Sequence, residues 1–225
     1  MEKIRINDLI KFRSKSERTR ISFANNLKSE KKKIKGSSGG DYWICCLSAI
    51  LNVFKSNNSN LLKEKIEELT GWIDETPHNN VKIEFKRNID VLNSFEDFDF
   101  DMIKPVSKFC YIIKSTNISI FNINGLPIQA KPDFVFKFSN NGIEEVGSVW
   151  FVAQLNGFTK TELGMFVDVL YRYMQINYSN DYKINKSYCI AVDVNAAQFL
   201  SYKELLEGGI PMVLDKTIEE LKKLL

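Results

Sequence analysis

Apolar residues recur every three or four positions from Trp43 through Cys46, Leu47, Ile50 and Leu51 to Phe54. That spacing marks one buried face of a helix, with Asp41 placed to cap its start. Leu61, Leu62, Ile66 and Leu69 repeat the pattern behind Ser59 and Asn60, and Gly71 stands near the expected end of this second helix. Val81 to Phe95 reads as a third helix, with Phe85, Ile89 and Leu92 inward. The first hundred residues are thus predicted to be mainly helical.

The period changes after Pro105. Phe109 to Ile113 is a short apolar run of either type, and Ile118, Ile120 and Ile123 lie in a strand that stops at Asn124-Gly125, a tight-turn pair. Ile128 to Ala130 continues or pairs with that strand. From Asp133 to Phe138 the pattern alternates, with Phe134, Phe136 and Phe138 on one face and Asp133, Val135 and Lys137 on the other. Ser139-Asn140-Asn141-Gly142 turns the chain into a long apolar strand, Ile143 to Leu155. Thr159 and Glu162 form a capping-box pattern ahead of a helix striped by Leu163, Phe166, Val167, Leu170, Tyr171 and Met174. Tyr188 to Val194 is a short buried strand, and Thr217 with Glu220 repeats the capping pattern before a last helix, Ile218 to Leu224. The predicted class is α/β (α+β), a mixed central sheet flanked by helices. Residues 1–100 form a basic arm and helical region, residues 101–225 an α/β core, and helix 81–95 is expected to pack on that core.

Composition narrows the function classes. The chain of 225 residues is 44% hydrophobic and 26% charged, ordinary for a globular protein. No apolar run reaches the roughly 20 residues of a membrane span, and the charged start lacks a signal peptide's apolar core, so the expectation is a cytoplasmic protein that does not enter a membrane. Four cysteines without a CxxC pair and a single histidine argue against a structural zinc site. The net charge of +3 hides an asymmetry, because Met1 to Gly36 carries about eight more positive than negative charges. Lys31, Lys32, Lys33 and Lys35 end this basic segment, ahead of the linker Gly36-Ser37-Ser38-Gly39-Gly40. Lys82, Lys86 and Arg87 add cations on the third helix. Such clusters fit phosphate contacts and make DNA or RNA the expected partner; solvated faces, or docking on an acidic protein or a second copy, are the alternatives.

The order helix, strand, strand, strand, helix, strand from about Val81 to Val194 resembles the restriction-endonuclease-like core of the PD-(D/E)xK nuclease superfamily. Pro132-Asp133 matches the first motif element, and Gln154-Leu155-Asn156, about twenty residues on, occupies the place of the second. The resemblance implies a Mg²⁺-dependent endonuclease, such as those of restriction or phage defence, with Asp133 and Gln154 as metal ligands. In that chemistry two carboxylates on neighbouring strands hold the metal by the scissile phosphate, and a lysine stabilises charge or orients water. Asn156 stands where that lysine belongs. Glu145 is an alternative carboxylate, expected together with Glu144 opposite Lys137 and Phe138, and Lys137, Lys131 or Lys160 are the lysines that could substitute. The competing expectation is a catalytically inactive nuclease-fold module that binds nucleic acid or serves an assembly.

Overall fold

The computed structural model describes residues 3–28, 42–113 and 116–225. The Lys31 to Lys35 cluster, the glycine-serine linker and the Asp41 cap lie outside them. The described chain is mixed α/β, with two mixed sheets flanked by helices. The larger sheet holds β2 (Phe109–Tyr111), β5 (Phe134–Asn140), β6 (Ile143–Val152), β7 (Lys183–Asp193) and β8 (Gln198–Ser201), in that spatial order. Neighbours run antiparallel except β6 and β7, which are parallel and joined through α6 (Lys160–Tyr178). The smaller sheet sets the two-residue β1 (Ile4–Arg5) parallel to β4 (Leu126–Gln129), which forms a hairpin with β3 (Ile120–Ile123).

Alternation along β5 divides the interior. Phe136 and Phe138 face a core built with α3 (Ile44–Ser56), α4 (Asn60–Glu75) and α5 (Asn79–Ser94), joined from β6 and β7 by Val149, Phe151, Ile190 and Val192. Val135, Val146, Val152 and Cys189 turn to the other face. There they meet α6, the smaller sheet, α1 (Ile6–Arg13), α7 (Tyr202–Glu207) and α8 (Leu214–Lys222), while Ala24 of α2 (Glu17–Lys28) joins the same core. The large sheet therefore separates two apolar cores. Phe54 anchors the α3–α5 side: it has no exposed surface, and its ring centroid lies 4.9 Å from Phe134 and 5.5 Å from Phe151. A side chain buried this completely stabilises the fold by roughly 2–3 kcal/mol.

Gly147 is needed where β6 and β7 come closest. An added Cβ would stand 2.6 Å from the Tyr188 Cβ and 2.8 Å from the Tyr188 carbonyl oxygen. The β6–β7 register shifts there, between Val146 and Ser148.

The predicted helices through Phe54, from Asn60 and over 81–95 are present, and α4 runs past Gly71 to Glu75. Thr159 and Glu162 form the full capping box: the Thr159 hydroxyl accepts from the Glu162 N–H, and the Glu162 carboxylate accepts from the Thr159 N–H at 2.8 Å. Three expectations are corrected. Thr217 does not cap the last helix, which begins at Leu214; its hydroxyl instead donates to the Val213 carbonyl, one turn back, and accepts from Arg13 at 3.1 Å. The strand expected to reach Leu155 ends at Val152, because Asn156 and Gly157 adopt left-handed backbone angles, φ 69° and 70°. The short strand 188–194 is the second half of the eleven-residue β7. Unpredicted are β1, α1, α2, β8 and α7, although Ser201 and Glu204 carry the same capping-box signature.

Candidate functional site

Asp133 sits just before β5, at the end of the β5–β6 ladder where Phe134 pairs with Val149. Its N–H donates to the Val149 carbonyl at 3.1 Å, and its carboxylate Oδ2 accepts the Phe151 N–H at 2.7 Å. Pro132 precedes it and has no N–H to extend a ladder. The carboxylate thus serves as the acceptor that closes the hairpin's open end. Asp133 is exposed to solvent as a residue, while protein atoms crowd around its carboxyl group. Burial pushes its carboxyl up to about 6, and the Phe151 hydrogen bond pulls weakly the other way.

The residues around Asp133 decide its chemistry. The β5–β6 ladder ends at Phe134–Val149, and the Asp133 N–H shares the Val149 end of it, so Asp133 stands past the regular register. The nearby β6 residues, Val149 to Val152, are all apolar. The expected second ligand, Gln154, lies beyond β6 and folds back on its own loop: its Nε2 donates to the Gly157 carbonyl at 3.1 Å, and its carbonyl accepts from the Gly157 N–H. Asn156, in the lysine's expected place, is exposed at a left-handed turn position rather than on a strand.

Glu145 does not rescue the site. It pairs with Phe138, as expected, whereas Glu144 pairs with Ser139. Six strand steps separate Glu145 from Phe151, whose N–H the Asp133 carboxylate holds, roughly 20 Å, far beyond the ~4 Å between two ligands of one Mg²⁺. Glu145 is instead engaged at the far end of the hairpin. There its nearly buried carboxylate accepts from Lys183 Nζ at 2.7 Å, Asn140 Nδ2 at 3.0 Å and Asn185 Nδ2 at 2.5 Å. Burial alone would raise its pKa, but these bonds and the lysine charge outweigh it and hold Glu145 below the usual glutamate range. Lys137 lies four residues from Asp133, roughly 13 Å along the strand. It pairs with Glu144 at 3.6 Å and sits over the Tyr182 ring. Lys160 is exposed at the start of α6. Among the described residues no three His, Cys, Asp or Glu side chains converge as a metal would require. The site expected to hold Mg²⁺ therefore does not fit the ion, and no hydrolytic step follows from it.

The remaining predicted residues fall elsewhere. Lys82, Lys86 and Arg87 lie on α5, in the layer on the far side of the sheet from α6, and the Arg87 guanidinium is committed to the Tyr42 hydroxyl at 2.7 Å. Asp193 is a loop organiser with no exposed surface; its carboxylate accepts the N–H groups of Phe158 at 2.6 Å and Asn195 at 3.0 Å. Cys46 and Cys189 are buried thiols pushed up by burial, which disfavours the reactive thiolate.

Sequence spacing did not reveal a cavity on the α6 face, beside the C-terminal end of β6. It has a volume of about 310 Å³. Lys3, Arg5 and Lys131 line it together with Asn7, Gln129, Trp150 and Phe166. These residues meet because β1 pairs with β4, placing Arg5 beside Gln129. Comparisons with protein-family models, curated proteins and solved structures find no match. No helix among the described residues is long and apolar enough to cross a membrane.

Proposed function

We propose that this chain is a nucleic-acid-associated, cytoplasmic protein whose nuclease-like core binds rather than cleaves, as a binding module or a subunit of a larger assembly. The observation that carries this reading is the setting of Asp133: its carboxylate is held by the Phe151 N–H, and no group of carboxylates converges on it among the described residues, where phosphodiester cleavage by a bound metal needs a second carboxylate. The chain order α5, β2, β5, β6, α6, β7, with the strands adjacent in that order, supports a restriction-endonuclease-like core carrying the β3–β4 hairpin as an insertion. The basic segment ending at Lys35, the cations of α5 and the cation-lined cavity support a phosphate-rich partner.

The test pairs cleavage with binding. Purified protein is incubated with labelled DNA and RNA in millimolar Mg²⁺ or Mn²⁺, and affinity is measured by fluorescence anisotropy across a salt series. The expected result is intact substrate, with affinity that falls steeply as salt rises. Metal-dependent cutting that is lost in Asp133→Ala would restore the nuclease reading. Absence of salt-dependent binding to either nucleic acid would remove both.

A further inference from the structure

The cavity beside β6 has a chemistry that none of the hairpin residues accounts for. Three cations, Lys3, Arg5 and Lys131, stand in its wall, and no Asp or Glu lines it. None of the three forms an ion pair with a described residue. The nearby described acids are engaged with backbone instead: the Asp8 carboxylate accepts the Arg5 N–H at 3.2 Å, and the Asp133 carboxylate accepts the Phe151 N–H at 2.7 Å. Like charges gathered around one hollow repel each other, and an anion in the hollow relieves that cost. Arg in particular offers a planar fork that matches phosphate oxygens.

The rest of the wall points to more than a bare ion. Trp150 and Phe166 form an aromatic floor, edge to face at 5.4 Å. Asn7 also lines the cavity, with its Oδ1 turned away from the hollow and shielded from solvent. The volume lies at the lower end of the range of small-ligand pockets.

We propose that this cavity binds a phosphomonoester carried on a ring-bearing ligand, with the phosphate at Lys3, Arg5 and Lys131 and the ring against Trp150 and Phe166. The same chemistry is offered by a free nucleoside monophosphate and by the phosphorylated end of a nucleic-acid strand. The second source rests on the nucleic-acid reading above, whereas the first stands without it.

The experiment uses the full chain. Isothermal titration measures AMP and inorganic phosphate, and anisotropy compares a short single strand bearing a 5′-phosphate with the same strand ending in a hydroxyl. Arg5 and Lys131 are exposed, so the double variant Arg5→Glu/Lys131→Glu is compatible with folding, and its circular dichroism spectrum checks this. Lys3→Gln, which removes the third cation alone, is the second variant. Expected is AMP binding at least about tenfold tighter than inorganic phosphate, abolished in the double variant and weakened in Lys3→Gln. If the ligand is a strand end, the phosphorylated strand binds about tenfold tighter than the hydroxyl strand, and the double variant erases that difference. AMP binding with no affinity for either strand supports the pocket and removes the nucleic-acid reading. Equal binding of the two strands together with no AMP binding overturns the pocket and spares the nucleic-acid reading. AMP binding unchanged in the folded double variant overturns the assignment to this cavity.

Discussion

The carboxylate of Asp133 accepts the backbone N–H of Phe151 at 2.7 Å, so one side chain completes the hydrogen bonding of the neighbouring strand at the ladder's end. Replacing Asp133 by alanine leaves that N–H without its acceptor, at a cost of about 1 kcal/mol. Asparagine keeps an acceptor and has no charge to bury. Because burial raises the folded-state pKa to about 6 from an ordinary aspartate value near 4, the folded protein favours the protonated carboxyl. The cost of ionising it is absent below about pH 4, develops up to about pH 6 and is constant above. Asp133→Asn is therefore expected to match the wild type at pH 4 and to melt slightly higher at pH 7 to 8, a gain kept small because Asp133 is exposed and water screens its charge. Melting curves across that range check it; a variant that is less stable at pH 8 than at pH 4, relative to wild type, contradicts the burial argument.

Glu145 has the opposite sign. Its pKa is held below the usual glutamate range, so its contribution is present at neutral pH and is lost as pH falls through the lowered folded value. Glu145→Gln should cost about 1 kcal/mol at pH 7, since Lys183 is largely exposed and can return to water. The deficit should shrink on acidification below about pH 4, read by urea denaturation at each pH.

Asp193 satisfies two backbone amides from a fully buried position. Asp193→Ala strands both and is expected to cost about 2–4 kcal/mol. Hydrogen exchange should show the loss concentrated in the 153–159 loop and the first turn of α6. Uniform loss of protection across the sheet would count against a local role.

Gly147→Ala should destabilise by about 2–3 kcal/mol, because the new methyl meets the Tyr188 backbone as well as its Cβ. Gly142→Ala, with open space around the added Cβ but a left-handed φ of 81°, should cost less, about 1 kcal/mol. Chemical denaturation of the pair gives the ranking, and a Gly147→Ala protein as stable as wild type would contradict the close β6–β7 approach.

Periodicity was enough for the helices over 44–56, 60–75, 79–94 and 160–178 and for the β5–β6 hairpin, since each is written in local spacing and turn residues. It misled at Thr217, where a capping pattern lies inside a helix that starts one turn earlier. Local sequence could not weigh Thr217 as a cap against Thr217 as the partner of Arg13, some two hundred residues away. It also carried the third core strand too far, because an apolar run does not show where backbone angles change sign at Asn156.

For the candidate site, the sequence by itself determined which residues begin and end the hairpin strands: Pro132-Asp133 ahead of β5, and no lysine at Asn156. The tertiary structure alone decided that Asp133 caps Phe151 and that Glu145 lies at the far end of the hairpin, held by Lys183, Asn140 and Asn185. It also brought Lys3, Arg5 and Lys131 around one cavity through the β1–β4 pairing. The reason is physical. Alternation and capping are properties of neighbouring residues, whereas strand register and the meeting of distant charges depend on how separated segments pack.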